Sequence, residues 1–129
     1  MIRTLHPIAG VAGMLTIAAF WTSTVAAETL GGAAAILAVK TAILWGLLVL
    51  VPAMAMTGAT GFRLASGATD PCILRKRRRM PVIALNGLLV LVPCAVFLYA
   101  RAASGEFGGV FALVQGIELL AGAANLALM

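Results

Sequence analysis

Charge is scarce in this chain: its 129 residues include four acidic residues, nine Lys or Arg and a single histidine. About a quarter of the residues in a soluble domain are charged. A chain that is 10% charged and 63% hydrophobic, with a mean hydropathy of +1.11, is instead an integral membrane protein. One histidine excludes a histidine-rich metal site and, within one chain, a bis-histidine haem. The two cysteines, Cys72 and Cys94, lack CxxC spacing. One reads as a loop residue and the other as a mid-span packing residue, so no disulfide is expected. No Walker loop, HExxH or nucleophile elbow occurs, and no enzyme is expected. Aromatic residues make up 6% of the chain and none is interleaved with the basic residues, so the net charge of +5 does not point to nucleic acid.

What the chain does have is long apolar runs around one basic block, Arg75-Lys76-Arg77-Arg78-Arg79. Spans of about 20 apolar residues cross a bilayer. Four are predicted, at about 5–27, 33–57, 81–100 and 107–128, with a polar, glycine-rich and basic loop over 58–80. Val25-Ala26-Ala27 before Glu28 meets the small-residue rule for signal cleavage, yet the preceding apolar stretch is long for an h-region, so the segment is kept as a span. Pro81 is expected in the first turn of the third helix, and Pro7 at the start of the first. Arg3, Arg63 and the basic block fall on one side of the membrane and only Arg101 on the other. The positive-inside rule then predicts an all-α, antiparallel four-helix bundle with cytoplasmic N- and C-termini, in a bacterial inner membrane. Arg75, Lys76, Arg77, Arg78 and Arg79 are expected to meet anionic lipid headgroups.

The heptapeptide Gly-Leu-Leu-Val-Leu-Val-Pro occurs twice, ending at Pro52 and Pro93. It raises the question of an inverted duplication, but Leu and Val dominate any membrane helix. Its mechanical content is firmer: each proline frees a carbonyl one turn earlier, and kinks are expected there.

Polar side chains inside lipid face the bundle interior, so a short list carries the functional argument: His6, Lys40, Asn86, Gln115, Glu118 and Asn125. Gln115, Glu118, Gly122 and Asn125 share one helical face. His6, Asn86 and Asn125 fall in the cytoplasmic leaflet and form a candidate cofactor pocket for a haem b or a quinone headgroup. His6 is the candidate metal ligand there, with a methionine, a second chain or an open position opposite. Interhelical hydrogen bonding is the plainer role for the asparagines and Gln115. Packing is likewise the plainer role for Met14, Met54 and Met56. Glu118 near mid-membrane and Lys40 in the outer half are candidate proton- or ion-coupling groups, or a structural ion pair. Small residues from Ala9 to Thr16 allow a helix or a flat cofactor to approach closely. Trp21, Trp45 and Tyr99 are expected as interfacial anchors, with Trp45 deep enough to line an internal pocket.

Two functions follow as expectations. The first is a non-enzymatic binding or accessory subunit, a homo-oligomer or part of a larger membrane complex, holding its cofactor near His6. The second is a small proton-coupled or cation transporter working through Glu118. Four spans and one membrane carboxylate resemble small multidrug transporters in outline, although their carboxylate typically lies in the first helix and Glu118 lies in the fourth.

Overall fold

The computed structural model describes residues 1–129 and contains only helices and turns. Helix α1 spans Ile2–Leu30 and α2 spans Ala33–Leu64. Helix α3 (Pro71–Asn86) passes through a π-helical turn (Gly87–Leu91) into α4 (Val92–Ala103), and α5 covers Gly109–Leu128. The third run, Pro71–Ala103, joins α1, α2 and α5 as the four helices apolar and long enough to cross a membrane.

Two boundaries differ from the sequence expectation. The loop expected over 58–80 is confined to the residues between Leu64 and Pro71, and the whole basic block is helical. Asp70 explains the early start: its carboxylate accepts from the Cys72 amide at 2.8 Å, and Pro71 follows in the first turn where its missing N–H costs nothing. Pro81 is therefore interior to α3 rather than at its beginning. Pro7 is interior to α1 as well, which starts at Ile2. Helix α2 holds 32 residues and is about 48 Å long, more than a hydrocarbon core of about 30 Å requires, and its last turns lie beside the basic turns of α3. Arg77 stacks over Phe62 there, 5.8 Å from the ring centroid.

Pro93 has a visible consequence. It lacks the N–H that would close the preceding turn, and the chain widens over Gly87–Leu91, where the Val92 amide reaches back to the Gly87 carbonyl. Pro52, in the matching heptapeptide, sits inside α2 without such a break in its helix.

The helices form a square. Helix α1 packs on α2, α2 on α3 and α4, those on α5, and α5 back on α1. The diagonal pairs, α1 with the third run and α2 with α5, have no close backbone approach. Side chains alone fill the centre.

The α1–α2 seam is the tightest, because glycine permits it. A Cβ on Gly13 would lie 3.0 Å from Met54 Sδ, and one on Gly46 would lie 2.2 Å from Phe20. Away from the seams the polarity is that of a membrane protein: Leu48, Leu89 and Leu120 point outward, whereas Lys40, Thr24, Gln115, Glu118 and Asn125 are buried. An apolar cluster of Leu98, Ala102 and Phe111, packed by Leu37 and Phe107, closes the end opposite the basic helix.

Candidate functional site

Three polar groups occupy the centre of the square at successive levels. At the basic end, His6 of α1 lines a cavity of about 380 Å³ together with Met14, Met54, Met80 and Lys76. Helix α2 fixes the imidazole: His6 Nδ1 lies 3.1 Å from the Thr57 carbonyl and 3.1 Å from Thr60 Oγ1. Thr60 gives its own hydroxyl proton to the Met56 carbonyl at 2.6 Å. Both neighbours of Nδ1 are therefore acceptors, so Nδ1 must carry the proton. In the neutral ring Nε2 is then an unprotonated lone pair, and it makes no hydrogen bond within the chain. A ring nitrogen freed by a backbone carbonyl on its far side is the usual second-sphere arrangement of a ligating histidine.

Gly61 of α2 brings a second donor to the same place. A Cβ there would lie 2.9 Å from His6 Cε1 and 2.9 Å from Met80 Sδ, so the imidazole and the thioether meet over this glycine. They come from α1 and α3, which are diagonal partners in the square. The cavity between them is walled by Gly10, Val11, Ile83 and Ala84, all small or apolar.

The sequence grouped His6 with Asn86 and Asn125, and the structure separates them. Neither asparagine lines the His6 cavity. They bind each other one level deeper, Asn86 Nδ2 donating to Asn125 Oδ1 at 2.8 Å and to the Ala121 carbonyl at 2.9 Å. Asn125 also reaches the Ile83 carbonyl at 3.4 Å. This clasp fastens α3 to α5 immediately before the π turn.

The third level holds Lys40, Glu118 and Gln115. Lys40 Nζ lies 2.6 Å from Glu118 Oε2, and the Gln115 amide donates to the same oxygen at 2.8 Å. The Gln115–Asn125 face of α5 thus points inward as its spacing predicts. Trp21 belongs to this interior: its indole donates to the Leu119 carbonyl at 3.0 Å. Trp45 instead is 70% exposed and faces outward, reversing the expected roles of the two tryptophans.

Known protein families, characterised proteins and solved structures include no match to this chain. The reading of the site rests on its geometry.

Sequence reasoning found His6 but missed Met80, Gly61 and Thr57. Met80 is the last residue of the loop expected over 58–80, whereas the structure places it inside α3. Gly61 carried a readable signal, since a glycine within a membrane helix permits close approach.

Proposed function

We propose that this protein is a non-enzymatic, membrane-embedded binding subunit that holds haem b at His6. It is read as an antiparallel four-helix bundle of the bacterial inner membrane, with both termini and the basic helix on the cytoplasmic side. The supporting observation is the hydrogen bonding of His6, whose Nδ1 faces the Thr57 carbonyl and the Thr60 hydroxyl while Nε2 has no partner in the chain. With Nδ1–H committed to Thr57 and Thr60, Nε2 can donate an electron pair to a metal but cannot donate a hydrogen bond. A quinone carbonyl asks for a hydrogen-bond donor, so the same geometry favours the haem over the quinone headgroup.

Met80 is the candidate second ligand, a thioether from the facing diagonal helix, and His/Met ligation is an established haem arrangement. Lys76 lines the cavity at the headgroup end, where an ammonium suits the carboxylates of a haem edge and disfavours a bare metal cation. Bound there, a haem would supply one-electron redox chemistry, and this chain would contribute ligation, apolar enclosure and charge. A transport role for Glu118 is less favoured, because its Oε2 already accepts from Lys40 and Gln115.

The test is the absorption spectrum of the protein purified from haem-replete membranes. A Soret band that disappears in His6→Ala and shifts toward a high-spin form in Met80→Leu is expected. A protein that stays colourless after reconstitution with haem would rule the reading out.

A further inference from the structure

The first turns of α3 hold cations that nothing in the protein neutralises. The molecule has two ion pairs, Lys40 with Glu118 and Arg101 with Glu106, and neither involves Arg75, Lys76, Arg77, Arg78 or Arg79. Asp70 is the acidic residue nearest to them in the chain, and its carboxylate is engaged by the Cys72 amide. All of these basic side chains are exposed.

Helical geometry decides how the charges are presented. Successive residues of a helix are about 100° apart, so Arg75, Arg77, Arg78 and Arg79 leave the axis in different directions within a rise of about 6 Å. Lys76 is turned to the His6 cavity. Arg77 lies over the Phe62 ring of α2, 5.8 Å from its centroid. A guanidinium held by its face against a ring keeps the N–H donors of its edge free. The arginines therefore form a collar around the helix, not a patch on one side of it.

Depth matches that shape to one kind of surrounding. The run Pro71–Ala103 has 33 residues, of which a hydrocarbon core of about 30 Å takes about 20. Charged side chains are too costly for that core, so the remainder is the basic end. The headgroup layer on each face of a bilayer is about 5–8 Å deep, close to the rise of the collar. A soluble acidic partner approaches from one side and meets part of such a ring, whereas the headgroup layer encloses it.

Residue type adds the chemistry. Four of the five adjacent cations are arginine. Membrane orientation is set by lysine and arginine alike. Only the guanidinium, however, grips a phosphate through two parallel N–H···O bonds. Phosphatidylcholine offers the same phosphate together with a cation of its own, so an uncompensated ring of charge selects anionic lipid. We propose that Arg75, Arg77, Arg78 and Arg79 form a phosphate-binding collar selective for anionic phospholipids, in which Phe62 fixes the Arg77 guanidinium. The collar does not depend on what the His6 cavity binds.

The experiment places the full chain in mixed vesicles of phosphatidylcholine and phosphatidylglycerol and measures, with spin-labelled forms of each lipid, their relative association with the protein. Phosphatidylglycerol should be favoured about fivefold or more. Replacing all four arginines by lysine conserves the net charge and should remove about half of that preference or more. Phe62→Leu should remove a smaller part, and Arg101→Lys in the opposite turn none. Should the fourfold variant fail to fold, Arg78→Lys with Arg79→Lys decides in the same direction. Equal association of the two lipids with the parent would overturn the proposal. So would a lysine variant with undiminished preference, because diffuse charge would then account for it. Saturable binding of polyglutamate to the protein in phosphatidylcholine vesicles, without any lipid preference, would also overturn it and give the collar to an acidic protein.

Discussion

Lys40 and Glu118 join two helices whose backbones never approach each other: Nζ meets Oε2 at 2.6 Å across the diagonal between α2 and α5. The lysine stem is long enough to cross the centre of the square, and its side chain ends 1% exposed. Breaking a buried pair from one side leaves an uncompensated charge, which typically costs about 3–5 kcal/mol, whereas replacing both members with apolar residues is often neutral. Glu118→Gln should therefore lower the unfolding midpoint in detergent or nanodiscs sharply. The double variant Lys40→Met, Glu118→Leu should recover most of the loss. Equal stability of Glu118→Gln and the parent would show that the pair contributes nothing to the fold.

The asparagine clasp predicts a smaller, coupled effect. Asn86 and Asn125 share one interhelical hydrogen bond and each donates one more to a backbone carbonyl, so each Asn→Ala change should cost about 0.6–2 kcal/mol. Because the residues touch, the double variant should lose less than the two single losses added. A double-mutant cycle in steric-trap or thermal unfolding measures this directly, and strict additivity would contradict the clasp.

Topology is open to a separate check. The two connections that carry left-handed glycines, Gly67 at φ 86° and Gly105 at φ 71°, are the exposed turns where a reporter fusion is tolerated. A fusion at Gly67 should report the cytoplasm and one at Gly105 the periplasm. Replacing Arg75, Arg77 and Arg79 with Gln should blur that difference, because the lysine and arginine bias is what sets orientation. A periplasmic signal from Gly67 in the parent would reverse the assignment.

These tests bear on how far the sequence could be read. Length and hydropathy made the four spans legible, and depth along each helix placed Glu118 near mid-membrane and Lys40 in the outer half, close enough to approach each other. Azimuth was legible only where polar residues repeated, as in Gln115, Glu118 and Asn125. With no such repeat in α1 or α2, Trp21 and Trp45 could be assigned a depth but not a side. The basic block hid a helix because five adjacent charges look like solvated loop, although Asp70-Pro71 just before them is a helix-start signature. Likewise His6 could not be matched with Met80 from sequence, since their meeting depends on the diagonal gap and on Gly61 in a third helix.

Gly61 therefore gives the sharpest test of the His6 site. In most helices a Gly→Ala change is favourable by about 1 kcal/mol, since alanine loses less backbone entropy. Here the added methyl would sit 2.4 Å from Met80 Cε and 2.9 Å from His6 Cε1, closer than real Cβ contacts allow. Both side chains must move, and the imidazole is held by Thr57 and Thr60, so Met80 gives way first. Gly61→Ala should leave the helical content and the unfolding midpoint close to those of the parent. It should nevertheless change the haem spectrum in the same direction as Met80→Leu. Gly116 in α5, open to a Cβ and away from the His6 cavity, is the control: Gly116→Ala should alter neither property. If Gly61→Ala binds haem with an unchanged spectrum, Met80 is not the second ligand and the pairing over Gly61 is packing alone.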